Sequence, residues 1–260
     1  MDVTTSTPDA LWASRAASRL RPTAAECHAL RRSVAGQPLL AGIDLVVPVG
    51  ARLLLVSRPD ASASLLLRIM SGLATAQAGV IRLAGLSLSD AGPRGWARRV
   101  AYVGPNADIY PWLSPREALE LAARLGGVQA AARGRLVDSS LEHHGLSAVA
   151  ERPIRRGGAA IAQRVAFAAA LLSDPEVLLL DEPLRALHAE DRNRLLRLPG
   201  PRRTVLLASR HPATERGLVD RFALLIDGRV RLHLPISKLE AQGLPLTLQG
   251  IEALEPRHAG

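Results

Sequence analysis

The sequence predicts an α/β fold in which a mixed sheet carries one inserted helical subdomain. Short runs of branched apolar residues alternate with helix-forming segments from Ile43 onward, and purely helical sequence replaces this alternation between about residues 106 and 163. At 260 residues with 48% hydrophobic side chains, the chain can bury a core of its own. Because only 3% of the residues are aromatic, that core must be built from Leu, Val, Ile and Ala.

The strands are predicted from apolar runs that end at turn residues. In chain order these runs are Ile43–Val47, Leu53–Val56, Val80–Leu83, Val100–Val103, Val177–Leu180, Thr204–Ala208, Phe222–Ile226 and Arg229–Leu232. Between the last two, Asp227 and Gly228 predict a tight hairpin turn, because both residue types tolerate positive φ.

The helices are predicted from their capping residues and apolar faces. One helix follows the turn at residues 57–60 and runs through Met70. Another begins at Ser114, where a serine, then Pro115, then Glu117 form the pattern of a capping box. Gly126 and Gly127 end that helix.

Composition and the chain ends restrict the classes of function. Residues 1–25, rich in Thr, Ser, Ala and Arg, are predicted to be a disordered extension, and residues 236–260 an accessory segment. Cys27 is the one cysteine, which excludes an intrachain disulfide and fits a reducing compartment. The net charge of +9 suits phosphates or an anionic membrane face, but without a zinc-ligand spacing or an aromatic-rich sheet motif no nucleic-acid partner is expected. No apolar run is long enough to cross a bilayer, so a cytosolic location is predicted.

Two carboxylates at the end of a buried strand are the candidate metal-binding and catalytic residues. Asp181 and Glu182 directly follow Val177–Leu180. In a nucleotide-hydrolysing α/β fold, the first would hold Mg²⁺ and the second would orient or deprotonate the attacking water. The alternative is that these carboxylates bridge neighbouring loops and take no part in catalysis.

Four local phrases, in order, resemble the nucleotide-binding domain of ABC (ATP-binding-cassette) transporters. They are Tyr110–Ser114 at the start of the helical subdomain, Gln163–Ala166 after the signature loop, Ser173–Pro183 around the second Walker motif, and Val219–Val230 after the switch histidine. The resemblance implies a P-loop NTPase-like domain over residues 26–235, with a mixed and parallel sheet core, an antiparallel β lobe and the helical insertion. It also implies ATP and Mg²⁺ as cofactors.

The family's phosphate loop, G-x-x-x-x-G-K-S/T, corresponds to residues 57–64. Ser57 and Ser62 occupy the glycine positions, and Ala63 occupies the lysine position. Asp60 lies where phosphates would arrive, and Ser64 keeps the Mg²⁺-ligand position beside Asp181. The chain has one lysine, Lys238, so no lysine is available to this loop.

The remaining family positions also depart from the motif. Pro105 stands at the glutamine position, and the signature region around Gly157 and Gly158 lacks the serine in either of two possible registers. Arg210 stands at the switch-histidine position, where it could contact a γ-phosphate or face solvent, and His188 replaces the aspartate of the dimer-interface loop.

The resemblance implies a subunit at the cytoplasmic face of the membrane that pairs with permease subunits, near residues 109–113, and dimerises with itself or another ABC ATPase. The altered motifs predict a degenerate component with weak or no ATPase activity. One alternative is an active ATPase that uses Ser64, Asp181, Glu182 and Arg210. A second alternative is a soluble interaction module.

Overall fold

The computed structural model describes residues 22–58, 62–183 and 203–254. The predicted extension up to residue 21, Asp60 and His188 lie outside these ranges. The described strands are β1 (Thr23–Val34), β2 (Gln37–Pro48), β3 (Arg52–Ser57), β4 (Ala78–Leu83), β5 (Leu86–Ser87), β6 (Val100–Val103), β7 (Val177–Asp181), β8 (Thr204–Ala208), β9 (Arg221–Ile226) and β10 (Arg229–Pro235). The described helices are α1 (Ser62–Met70), α2 (Leu88–Arg99), α3 (Pro115–Leu125), α4 (Ala130–His143), α5 (Gly158–Leu171), α6 (Ser237–Ala241) and α7 (Leu248–Glu252).

A six-stranded sheet in the order β10-β9-β3-β8-β7-β6 forms the centre of the domain. Neighbouring strands from β9 to β6 are parallel, and β10 pairs with β9 antiparallel. All residues of β7 and β8 are buried, as expected for apolar strands covered on both faces. The predicted α/β fold is confirmed.

A four-stranded antiparallel sheet, β2-β1-β4-β5, forms the β lobe. Its strand β1 was not among the predicted strands, and it begins at Thr23, inside the segment 1–25 that was expected to be a disordered extension. That boundary was wrong because Thr23 pairs with β2, Ala25 pairs with both β2 and β4, and Ala24 and Ala25 are buried. Charged side chains along β1, together with a register shift near Ala29 (φ 47°), conceal its alternation.

The inserted helical subdomain has its own apolar core. Helices α3, α4 and α5 pack around buried residues that include Leu119, Val137, Leu141 and Val165. The predicted capping box of α3 is present: Ser114 Oγ accepts from the Glu117 N–H at 3.2 Å, and Glu117 Oε2 accepts from the Ser114 N–H at 2.8 Å.

The segment after β10 packs against the central sheet. Leu239, Leu246 and Ile251 are buried in the same cluster as Phe222 and Leu224 of β9. No described helix is both long enough and apolar enough to cross a membrane.

Candidate functional site

A cleft of about 360 Å³ lies at the carboxyl ends of β7 and β8. Parallel strands bring their carboxyl ends to one edge of a sheet, which is where α/β folds bind ligands. The cleft is lined by Ser64, Pro105, Asp181, Glu182, Pro183, Ser209, Arg210, His211, Thr214 and Glu215. Five of the predicted site residues therefore come together: Ser64, Pro105, Asp181, Glu182 and Arg210.

The carboxylate of Asp181 is buried, and each of its two oxygens accepts a hydrogen bond. Asp181 is the last residue of β7 and is only 2% exposed. The Ser64 hydroxyl donates to Oδ1 at 2.7 Å, and the Tyr102 hydroxyl donates to Oδ2 at 2.9 Å. Burial and the nearby Asp181 raise the pKa of Tyr102, so its hydroxyl keeps the proton that it donates. One carboxylate thus joins β7, α1 and β6.

The metal half of a Mg²⁺-nucleotide site fits these residues. A serine hydroxyl and a carboxylate in contact are the hard oxygen ligands that Mg²⁺ prefers. Among the described residues no group of three or more His, Cys, Asp or Glu could hold a metal ion. Phosphate and water oxygens would have to complete any Mg²⁺ shell here.

The residues predicted to bind the nucleotide's phosphates do not fit that role. Ala63, at the position predicted for the lysine, is 5% exposed in the first turn of α1, and Ser62 before it is fully buried. Ser57, at the position predicted for the first glycine, is the last residue of β3. Arg58 is the one cation of residues 57–64, and its Nε points to Glu252 Oε1 of α7 at 3.3 Å. No lysine reaches this segment, because Lys238 lies on α6.

Glu182 is held in a constrained backbone conformation beside Arg210. Its φ is 47°, which is uncommon for a residue other than glycine, and its N–H donates to the Ala208 carbonyl at 3.0 Å. Its Oε1 lies 3.6 Å from Arg210 Nε. Burial raises the pKa of Glu182, and a backbone hydrogen bond and the positive charge of Arg210 oppose that rise. The Arg210 side chain is 70% exposed, so this ion pair lies at the mouth of the cleft.

The signature-region glycines do not line the cleft. Gly157 follows a short 3₁₀ turn, Ile154–Arg156, and Gly158 has φ 71° at the start of α5; both are exposed. The helical subdomain reaches the site by another route: Gln163 Nε2 of α5 donates to the Gly104 carbonyl at 3.1 Å, next to Pro105.

Two site residues were missed from the sequence. Tyr102 lies within the apolar run Val100–Val103, and Glu215 belongs to none of the predicted strands or helices. Glu215 is 2% exposed and lines the cleft, where its Oε1 accepts from Thr214 Oγ1 at 3.0 Å and from Ser209 Oγ at 3.3 Å. The only sequence signal for Tyr102 was a hydroxyl in the strand that pairs with β7.

Comparison with known proteins relates the whole domain to one family. A family model described as ABC transporter matches residues 40–185. The aliphatic sulfonates import ATP-binding protein SsuB 1 of Rhizobium johnstonii is 34% identical over 230 residues, which cover 85% of this chain and 80% of that protein. The nickel import ATP-binding protein NikO of Rhodobacter capsulatus is 30% identical over 233 residues, covering 84% and 91%.

Solved structures agree. One described as the ATP binding subunit of an ABC transporter superposes with a TM-score of 0.76 at 26% identity, covering 85% of this chain and 93% of that one. A nucleotide-free ATP-binding cassette with 13% identity and a TM-score of 0.73 shares the fold. Fold, family match and relatives agree, and the chain belongs to the ABC transporter family as an ATP-binding component.

Proposed function

We propose that this chain is a degenerate ABC subunit with weak or no ATPase activity. It works at the cytoplasmic face of the membrane, bound to permease subunits, in a dimer with itself or with a competent ABC ATPase. The family supports the transport role, and the residues at the phosphate-loop positions support the loss of activity.

The observation that carries the proposal is Ala63 at the lysine position. A methyl group that is 5% exposed supplies no charge to the phosphates. Contacts to charge that develops in a transition state are commonly worth about 3–4 kcal/mol each, or a factor of several hundred in rate. The serines at both glycine positions remove further support, since close approach of backbone to phosphate favours glycine.

The chain's remaining site residues would still have defined roles. When bound, Mg²⁺ would neutralise phosphate charge and orient the nucleotide. Ser64 and Asp181 would hold it, Glu182 would orient a water as general base, and Arg210 would face the terminal phosphate from the switch position. Because these side chains share one cleft, an active ATPase with compensated motifs remains the second candidate.

The partner proposal rests on the relatives and on one exposed segment. SsuB 1 and NikO are named as import ATP-binding proteins, and such proteins work with membrane permeases. The segment 109–113 presents Tyr110 and Trp112 with side chains that are more than half exposed. We place the permease contact there.

ATP turnover by the purified full chain, alone and with added permease, tests the proposal. We expect no release of phosphate above that of the Glu182→Gln variant, because a general base without a positioned phosphoryl group does nothing. Turnover that Glu182→Gln abolishes would favour the active alternative.

A further inference from the structure

A second cavity lies at the edge of the central sheet opposite the cleft. Its volume is about 650 Å³, and it is lined by Thr23, Ala24, Val49, Ala84, Gly85, Asp174, Pro175, Glu176, Arg203 and Thr204. The first five of these residues belong to one end of the β lobe, and the last five precede or begin β7 and β8. We call this cavity the lobe–sheet groove, because both sheets contribute to its walls.

Much of the wall of the lobe–sheet groove is apolar. Ala24 and Pro175 are buried within it, and Val49 is 41% exposed. Removal of such a surface from water is favourable, because apolar area in contact with water costs free energy. The groove therefore suits an occupant with apolar side chains.

Two exposed carboxylates stand beside this apolar wall. Asp174 pairs with Arg203 through Oδ1, and Glu176 pairs with Arg99 through Oε1 at 2.7 Å. The side chains of Asp174 and Glu176 are 89% and 54% exposed, and a carboxylate can accept hydrogen bonds from more than one donor. An occupant that adds positive charge to its apolar side chains would match both features.

The described part of the chain starts on the wall of this groove. The Pro22 carbonyl accepts from the Val49 N–H at 2.7 Å, and the next residue, Thr23, lines the groove. Leu20 and Trp12 precede Thr23 by three and eleven residues, so an extended chain carries them at most about 10 and about 36 Å from it. Both residues can therefore reach the groove.

The sequence before Pro22 has the composition that the groove calls for. Residues 11–21 contain three large apolar side chains, three arginines and no acidic residue; these are Leu11, Trp12, Leu20, Arg15, Arg19 and Arg21. Because this segment belongs to the same chain, its effective concentration at the groove is in the millimolar range, so weak contacts suffice to hold it.

We propose that residues 11–21 of this chain occupy the lobe–sheet groove. Trp12 and Leu20 would cover the apolar wall around Val49, and the arginines would face Asp174 and Glu176. Pockets of about 300–1,000 Å³ hold drug-sized molecules, so a cavity of about 650 Å³ has room for these side chains. The segment would join the β lobe to the central sheet, and this role depends on neither nucleotide nor permease.

Iodide quenching of a fluorophore on the full chain tests the proposal. The fluorophore is attached at Ala16→Cys, within the segment. Native Cys27 does not compete for the label, because it is 2% exposed and burial raises the pKa of its thiol to about 12. The groove variant is Val49→Asp, and its matched control is Val34→Asp, at an exposed valine that ends β1 at the far end of the lobe.

We expect iodide to quench the label several-fold less in the otherwise native chain than in Val49→Asp, because a carboxylate in the apolar wall disfavours docking. Val34→Asp should leave the protection unchanged. Leu20→Ser should remove the protection as Val49→Asp does, whereas Val3→Ser, outside the segment, should not.

Quenching of the native chain as efficient as that of the urea-unfolded chain would overturn the proposal. So would protection that persists in both Val49→Asp and Leu20→Ser. Protection that is lost when the protein is diluted would identify a second copy of the chain as the occupant and would also overturn it. Neither nucleotide nor permease enters the assay, so its outcome is independent of the turnover test of the proposed function.

Discussion

At the residue scale, Asp181 shows how the altered site can persist as structure. Both of its oxygens accept hydrogen bonds from hydroxyls of the chain itself, those of Ser64 and Tyr102. A buried carboxylate that is satisfied in this way stabilises three elements, whereas an unpaired one would destabilise them. These contacts fit the role that the sequence offers as the alternative to catalysis, in which Asp181 bridges neighbouring parts of the chain.

We predict that Ser64→Ala lowers the free energy of unfolding by about 1–3 kcal/mol, because it leaves Asp181 Oδ1 buried without that donor. Chemical denaturation measures the change. Ser139→Ala, at an exposed position of α4, controls for the exchange of serine for alanine in a helix. Equal effects of the two substitutions would contradict a bridging role for Asp181.

At the scale of elements, buried strands were predicted more accurately than half-exposed ones. The run Val177–Leu180 predicts β7 to within one residue, because a strand covered on both faces is apolar throughout. Strand β1 was not predicted because it mixes Glu26, His28 and Arg31 with buried residues and changes register. The Asp227-Gly228 turn was correct: both residues have positive φ, at 52° and 67°.

The turn between β9 and β10 allows a test of close backbone approach. A Cβ on Gly228 would lie 2.8 Å from the Ala41 N and the Leu39 O atoms of β2, whereas one on Gly85 (φ 78°) would meet nothing within 4 Å. We predict that Gly228→Ala lowers the melting temperature more than Gly85→Ala does, since only the first adds a clash to the backbone strain. Equal losses in a thermal melt would mean that β2 and this turn are not in contact.

His233 of β10 predicts an acid sensitivity of the folded state. Burial, with a smaller effect of Arg221, lowers the pKa of His233 to about 4, while the unfolded chain has the ordinary value near 6.5. The unfolded state therefore binds the proton first, and the stability that the neutral ring contributes above pH ~6.5 is lost as the pH falls toward ~4.

We predict that His233→Gln flattens the dependence of the free energy of unfolding on pH between about 6.5 and 4. Urea denaturation across that range measures the slope, and His28→Gln in the β lobe is the matched exchange of another histidine. An unchanged slope in His233→Gln would show that this ring is not the group responsible.

At the scale of the whole molecule, the sequence predicted the architecture and part of the site. The positions of Ser64, Asp181, Glu182 and Arg210 followed from the family's order of motifs, and the structure brings them into one cleft. Tyr102 joins these residues through a contact between two strands that are distant in sequence, and Glu215 joins them as a buried residue. No local sequence pattern encodes either feature. Residues 236–254 were not predicted to be part of the core for the same reason. Their apolar side chains become buried only against the assembled sheet.

We predict that Ile251→Ala destabilises the domain by about 2–5 kcal/mol, as truncation of a fully buried side chain does. The free energy of unfolding measured with denaturant tests this, and Leu125→Ala, at a side chain that is 80% exposed, is the control. A change no larger than that of the control would mean that α7 is not part of the core.

The most direct test of the central claim is calorimetric titration of the full chain with MgATP up to millimolar concentration, with Asp181→Ala as the control. The claim is that the fold and the metal-side residues remain while the phosphate-binding function around Ala63 is lost. It predicts no binding heat at millimolar nucleotide in either protein. Binding at micromolar concentration that Asp181→Ala abolishes would contradict it.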